Sequence, residues 1–270
     1  MNGQYKMKGV LCYYSSTGNT RLACQYIANR IAAVEFDLLD VTKTKTVELE
    51  DYGVVGFATF TDFWGPPYLF QKFIKDLPQQ QRKPAFVFNT FGNLSGRTLK
   101  TLEGHVVARG FQVMAGFSLH TPESYPPMIA AGRGNEHAPT EQDMLTFDGS
   151  VSGLDELLKR LQAEGTVRGN GINIGLLNSL LPSFPRSMAR RDMGDKFVDE
   201  ALCKECGACA RLCPYEAITL APKPIFDQAK CYGCWRCFNR CPQQAIYTRK
   251  YRGVGHYPRP LDRLKKMLGH

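Results

Sequence analysis

The chain of 270 residues has an ordinary globular composition, 43% hydrophobic and 22% charged, and its length predicts two domains. No apolar run approaches the ~18 residues that a membrane span requires, and residues 1–6 lack the apolar stretch of a signal peptide. A formal net charge of +9 would suit a protein that binds nucleic acid. The charge carried at the cysteines, described below, bears on this possibility.

Strands and helices alternate over the first 120 residues. The predicted strands are 8–14, 34–41, 52–59, 83–88 and 111–119, and the predicted helices between them are 21–31, 68–75 and 97–109. This alternation predicts a parallel sheet with right-handed crossovers. Five strands in this rhythm match a doubly wound sheet of order 2-1-3-4-5.

A polar loop joins the first strand to the first helix. It consists of Ser15, Ser16, Thr17, Gly18, Asn19 and Thr20. Hydroxyl and backbone N–H groups at the start of a helix can donate to a phosphate, whose charge the helix dipole favours. The loop is neither a Walker A motif nor G-x-G-x-x-G, which argues against nucleoside triphosphates and NAD. The alternative is a polar turn in which Thr20 is a plain N-cap.

Residues 14–23, Tyr-Ser-Ser-Thr-Gly-Asn-Thr-Arg-Leu-Ala, resemble the FMN-phosphate loop of flavodoxins. The resemblance implies a flavodoxin-like α/β domain over 1–164, with a doubly wound parallel five-stranded sheet. Ligands of such sheets lie beyond the carboxyl ends of the strands. By resemblance, one side of the isoalloxazine would be bordered by Thr59, Thr61, Trp64 and Gly65, and the other by Thr90, Phe91, Gly92 and Asn93. Alternatively, Trp64 and Phe91 only pack their loops.

Residues 120–148 break this rhythm, since they hold four prolines and show no convincing period. We expect a long loop that covers the flavin or cradles the second domain, with Tyr125, Arg133 and His137 as candidate polar contacts. A last helix is predicted over 154–161.

Residues 165–194 are predicted to be a linker. Its apolar residues Leu177, Leu180, Leu181 and Phe184 share one helical face. This face indicates a segment that clamps the two domains, or else a helix on a membrane surface.

Eight of the ten cysteines lie in two copies of the motif C-x2-C-x2-C-x3-C-P. This is the bacterial spacing in which three cysteines bind one [4Fe–4S] cluster and the fourth binds the other. We therefore assign Cys203, Cys206, Cys209 and Cys241 to one cluster, and Cys231, Cys234, Cys237 and Cys213 to the second. A zinc site or a disulfide framework is the alternative, but zinc uses paired C-x-x-C knuckles. Only Cys12 and Cys24 remain, which points to a reducing cytoplasm.

The two cysteine motifs belong to an internal repeat displaced by 28 residues. It predicts a small α+β ferredoxin-like 2[4Fe–4S] domain over 195–248, in which two short units pack together and the clusters supply much of the folding energy. The basic tail, 249–270, is expected to be a solvated or partner-facing strip.

The net charge is confined to the second half of the chain. Residues 1–164 carry 16 Lys and Arg against 17 Asp and Glu, and residues 165–270 carry 18 against 8. Two oxidised clusters of about −2 each and an FMN phosphate of about −1.5 to −2 would offset most of this excess. The cofactors therefore argue against nucleic acid as a partner.

The whole chain resembles flavodoxin–ferredoxin fusion proteins, which implies electron transfer between FMN and two [4Fe–4S] clusters. One interpretation is an electron carrier whose partners are redox proteins such as a ferredoxin or a reductase. The other is a reductase in which FMN acts on a small molecule. No local acid–base motif, nicotinamide fingerprint or nucleophile motif is present, and the five histidines are scattered, which favours the carrier. The oligomeric state is left open.

Overall fold

Five parallel strands form the central sheet of the first domain. They are β1 (Met7–Tyr13), β2 (Val34–Asp40), β3 (Val54–Phe60), β4 (Lys83–Phe91) and β5 (Phe111–His120). The computed structural model describes residues 6–44, 46–169, 171–172, 174–175, 178 and 186–270. The strand order is β2-β1-β3-β4-β5, with every neighbouring pair parallel. The predicted doubly wound, flavodoxin-like order is confirmed.

Helices cover both faces of this sheet. They are α1 (Asn19–Arg30), α2 (Tyr68–Asp76), α3 (Thr98–Ala108), the short α4 (Pro126–Ala130) and α5 (Glu141–Glu164). α1 and α5 share one apolar core with one face, whereas α2 and α3 share a second core with the other face. Because side chains alternate along a strand, Leu11 of β1 points to the first core and Val10 to the second.

The loop predicted over 120–148 is wrong in its second part, because α5 begins at Glu141 and runs for 24 residues. Thr140 caps this helix: its Oγ1 accepts from the Asp143 N–H at 3.1 Å, and the Asp143 carboxylate accepts from the Thr140 N–H at 2.8 Å. Residues at helical spacing, such as Met144, Phe147 and Val151, then bury one face. The prolines that precede residue 140 concealed where this period begins.

The second domain repeats one small unit twice. The first unit contains β6 (Lys196–Val198), a short helix (Ala208–Leu212) and β7 (Ile218–Leu220). The second contains β8 (Pro224–Phe226), a short helix (Arg236–Arg240) and β9 (Ile246–Thr248). Each element of one unit lies 28 residues from its counterpart. β6 pairs with β9 and β7 with β8, both antiparallel, so the first and last strands join the two units.

The linker and the tail both contact the rest of the chain. Leu177, Leu180, Leu181 and Phe184 lie outside the described residues, but α6 (Arg186–Met193) is described. The short helices of the second domain are α7 (Ala208–Leu212) and α8 (Arg236–Arg240). The tail contains α9 (Asp262–Met267). Its Leu264 is fully buried in the core shared by α1 and α5. The expectation of a solvated strip is therefore wrong for this helix, whose apolar side chains pack on the first domain.

Within the described ranges, no helix combines the length and the apolar character needed to cross a membrane.

Candidate flavin and iron–sulfur sites

The polar loop after β1 contributes to a small cavity of about 30 Å³. Ser15 stabilises the loop internally, since its Oγ accepts from the Gly18 N–H at 3.1 Å and from the Arg21 N–H at 3.3 Å. The Ser16 hydroxyl, by contrast, is buried without a hydrogen-bond partner among the described residues. A buried polar group of this kind is costly unless a ligand satisfies it. The loop therefore fits the phosphate that the sequence predicted.

Gly18 allows the C-terminal tail to lie against this loop. Its φ is +120°, and a Cβ added there would lie 2.9 Å from the Pro260 ring. Positive φ and close approach both favour glycine. The packing of the loop against the tail therefore accounts for a glycine at position 18, and its predicted contact with FMN stays a prediction.

The Asn19 side chain is held by the protein itself. Its Nδ2 donates to the Pro122 carbonyl at 3.0 Å, and its Oδ1 accepts from the Tyr257 hydroxyl at 2.9 Å. The Thr20 hydroxyl is hydrogen-bonded to the Thr90 hydroxyl at 2.9 Å. The Asn19 side chain therefore braces the loop, and one of its two amide hydrogens is left over from these bonds. Its predicted contact with FMN stays a prediction, as do those of Ser16, Thr17 and the backbone N–H groups.

A larger cavity of about 170 Å³ adjoins the first. The two have six lining residues in common: Ser16, Phe60, Thr61, Gly92, Glu123 and Ser124. Trp64 and Asn93, both predicted to border the flavin, also line the larger cavity. Together the cavities form one polar-to-apolar site at the carboxyl ends of the strands, where doubly wound sheets bind ligands.

A tight turn holds Trp64 at this cavity. Asp62 and Gly65 exchange backbone hydrogen bonds of 2.8 and 3.3 Å, and the two central residues, Phe63 and Trp64, have φ of 53° and 69°. This backbone is that of a type I′ turn, which normally selects glycine or asparagine. Two aromatic residues in left-handed conformations are a local strain of the kind that accompanies binding sites.

Several predicted flavin contacts are placed differently. Thr59 is fully buried in β3, and neither it nor Gly65 lines either cavity. Thr90 and Phe91 line only the small cavity, and Phe91 stacks on His120 with ring centroids 5.2 Å apart. The predicted flavin contact is therefore not supported for Thr59 and Gly65, and Phe91 lies toward the phosphate end.

Residues that the sequence did not predict to border the flavin complete the larger cavity. They include Asp62, Glu123, Tyr125, Met128, Ala189, Cys234 and Trp235. The acidic side chains among them are held in place: the Glu123 carboxylate accepts from the N–H groups of Ser124 and Tyr125 at 2.8 and 3.0 Å. Apart from Cys234, a predicted cluster ligand, the sequence indicated these residues only through the expectation that residues 120–148 cover the flavin.

Asp62 connects the first domain to the linker and to the second domain. Its carboxylate accepts from Arg186 Nε at 2.9 Å and from the Tyr232 hydroxyl at 2.8 Å. Burial, and then the negative charge of Asp62, raise the pKa of Tyr232 above its ordinary value. Arg186 also donates to the Gly233 carbonyl at 2.8 Å, so the described part of the linker contacts both domains.

The eight motif cysteines line two pockets. One, here called the outer pocket, contains Cys203, Cys206, Cys209 and Cys241. The other, the inner pocket, contains Cys213, Cys231, Cys234 and Cys237. These are the same two sets that the spacing predicts, and their role as ligands stays a prediction. Among the residues with described positions, no group of three or more His, Cys, Asp or Glu could hold a single metal ion.

The chemistry of both pockets fits iron–sulfur clusters. Burial raises the pKa of the Cys234 and Cys237 thiols, and binding to a metal deprotonates such thiols. In each pocket a backbone N–H donates to a cysteine sulfur: Ala217 to Cys213 at 3.4 Å and Ala245 to Cys241 at 3.3 Å. Hydrogen bonds of this kind tune cluster potentials.

The inner pocket and the larger cavity meet at one residue. Cys234 lines both of them, and the adjacent Trp235 lies in the cavity wall with its ring centroid 6.1 Å from that of Tyr125. Asn239, in α8, donates to the Ser124 carbonyl at 2.9 Å. A predicted cluster ligand therefore forms part of the wall of the predicted flavin site.

Comparison with protein families gives a match over residues 202–245 to the 4Fe-4S dicluster domain. A comparison with curated proteins gives no match.

Solved structures similar to the chain include two flavodoxins and one flavodiiron core. A flavodoxin from the domain Archaea is 20% identical (57% of this chain, 99% of that one; TM-score 0.42). Flavodoxin 1 of Bacillus cereus is 18% identical (54% and 97%; TM-score 0.38). The flavodiiron core of Flv1 from Synechocystis is 18% identical (60% and 38%; TM-score 0.42), so the chain spans under half of its length.

These structural similarities are low, and the fold assignment rests on the observed strand order and pairing. The chain combines a parallel sheet of flavodoxin-like order with a segment that matches a 4Fe-4S dicluster domain. It therefore fits the organisation of a flavodoxin–ferredoxin fusion.

Proposed function

We propose that this chain passes single electrons between two [4Fe–4S] clusters and an FMN, and so links a low-potential redox protein to an acceptor. Clusters carry one electron each, whereas FMN accepts one or two. The observation that carries the proposal is the position of Cys234, which lines both the inner pocket and the larger cavity. A ligand shared in this way brings the two redox sites close together.

In this proposal the domains and the linker have the bounds that the sequence predicts. Residues 1–164 bind FMN, 165–194 connect the domains, 195–248 hold the clusters and 249–270 strap the two halves together. The Ser16 hydroxyl and the backbone of its loop hold the phosphate, while Trp64, Asn93 and Trp235 border the ring. The ten unpaired thiols suit a reducing compartment, and we place the protein in the cytoplasm.

The outer pocket is the entry side for electrons from a partner. Cys206 is exposed to solvent, and none of the residues that line the outer pocket lines the flavin cavities. A redox protein can therefore approach this side without displacing the flavin. Its partners would be small electron-transfer proteins of the ferredoxin class or a reductase.

A second candidate is reduction of a small molecule by FMN that the clusters supply with electrons. One observation favours it: Tyr125 and Met128, from the segment between β5 and α5, wall the larger cavity. A substrate could then be enclosed beside the ring. The two candidates differ in whether the reduced protein is reoxidised by a protein acceptor or by a small molecule.

The test begins with protein purified without oxygen. We expect FMN to be released on denaturation and about eight irons per chain, and a reductive titration should show flavin and cluster signals by absorbance and EPR. Absence of flavin would refute the proposal.

A kinetic test uses reduced ferredoxin as the donor. Cys234→Ser should slow flavin reduction by this donor at least tenfold, while direct photoreduction of the flavin is unchanged. Cys24→Ala is the matched control, because Cys24 is buried in the first domain and belongs to neither pocket. Equal rates in the two variants would contradict electron transfer through the inner cluster.

A further inference from the structure

The internal repeat allows the surroundings of the two clusters to be compared position by position. A displacement of 28 residues relates the residues that line the outer pocket to those that line the inner pocket. The backbone is matched, because Ala217 and Ala245 donate to equivalent sulfurs at 3.4 and 3.3 Å. Differences between the two pockets therefore come from the side chains.

Two buried cations line the inner pocket. Lys196 is 2% exposed, and its Nζ donates to Cys231 Sγ at 3.3 Å. Arg236 is 8% exposed, and its Nε and Nη1 have no hydrogen-bond partner within the part of the chain that the structure describes. A guanidinium is always charged and costly to bury alone. An anion in the pocket would provide the missing partner.

The equivalent positions in the outer pocket are apolar. Pro224 replaces Lys196, and Ala208 replaces Arg236. The charged residues in that pocket, Lys204 and Glu205, have opposite signs and are exposed to solvent. Arg211 is also exposed, and it donates to the Cys206 carbonyl. Solvent and salt screen these exposed charges far more than buried ones.

We propose that Lys196 and Arg236 hold the reduction potential of the inner cluster above that of the outer cluster, so that electrons flow from the outer pocket toward the flavin site. This inference rests on the proposed function. In the step, the outer cluster loses one electron and the inner cluster gains it, with no bond or proton transferred. A low-potential one-electron donor protein supplies the electron.

The physical reason is the negative charge that a cluster gains on reduction. Burial alone disfavours that charge and would lower the potential of the inner cluster. The same low dielectric, however, strengthens the attraction of a nearby cation. Two cations line the inner pocket, and their combined attraction for a single added electron outweighs the burial term.

The test is an anaerobic equilibrium redox titration of the holoprotein, followed by EPR and absorbance. We expect two separate cluster steps. Lys196→Met and Arg236→Gln should each lower the higher potential and leave the lower one in place, changing the equilibrium between the clusters at least tenfold, about 59 mV for one electron. Arg236→Lys, which keeps the charge, should restore most of the shift.

Lys230→Gln is the matched control, because Lys230 adjoins Cys231 but its side chain is 66% exposed. It should move neither step by a comparable amount. The proposal is overturned if the wild-type clusters titrate together, if the lower step moves instead, or if Lys230→Gln has the same effect. If Arg236→Gln assembles fewer irons, Lys196→Met and Arg236→Lys decide the question. Absence of clusters from the wild type would instead refute the proposed function.

Discussion

The C-terminal helix α9 offers a direct test of how the two halves are held together. Leu264 is fully buried in the core beside α1 and α5, although it lies in a strongly basic segment. Truncating a buried leucine to alanine costs about 2–5 kcal/mol. We take about 3 kcal/mol for Leu264→Ala, which is roughly a hundredfold in the equilibrium between the docked and detached tail.

The consequence should reach the polar loop after β1. Between the second domain and α9, the Tyr257 hydroxyl donates to Asn19 Oδ1, and Pro260 lies against Gly18. A detached tail removes both contacts. We therefore expect Leu264→Ala to make residues 250–270 sensitive to proteolysis and to increase hydrogen exchange at residues 15–20.

The assay is limited proteolysis and hydrogen exchange of the holoprotein, together with denaturant unfolding. Lys266→Ala is the control, because this residue is exposed on the same helix and exposed substitutions change stability by less than about 0.5 kcal/mol. If Leu264→Ala and Lys266→Ala showed the same protection from proteolysis and hydrogen exchange, the tail would not be docked through its apolar face and the reasoning would fail.

Three further predictions follow from the sites. Removing iron should unfold the second domain and leave the first folded, because the two units of the second domain share only a small core. Circular dichroism and proteolysis would show this unfolding. An intact C-terminal fragment without iron would contradict the prediction. Ser16→Ala should weaken FMN binding roughly tenfold, because a hydrogen bond to a charged group contributes about 1.5–3 kcal/mol. Fluorescence titration measures the dissociation constant of FMN, with Ser150→Ala as the control. Burial lowers the pKa of His256 below its ordinary value of 6.5, so the folded state favours the neutral ring. Its contribution to stability is therefore complete above pH 6.5 and is lost as the pH falls through the folded pKa. Denaturation at several pH values should show a smaller loss in His256→Phe, and an unchanged loss would exclude this histidine.

Local patterns predicted the first domain well, with a limit that has a physical cause. Strands and short helices carry their own period, so the sheet order could be inferred from their alternation. The start of α5 could not be predicted in this way, because the prolines before residue 140 conceal it. The capping pair of this helix, Thr140 and Asp143, is a weaker local signal.

The sites, like the fold, were predicted from the sequence only in part. The sequence by itself determined the two cysteine sets and the polar loop, because ligand spacing and a strand–loop–helix turn are properties of short segments. The tertiary structure alone decided that Asn19 is hydrogen-bonded to Pro122 and Tyr257 and that Cys234 lines the larger cavity. It alone placed Lys196 beside Cys231. These contacts join residues 35 to 238 positions apart, and no local period encodes how one packed unit docks on another.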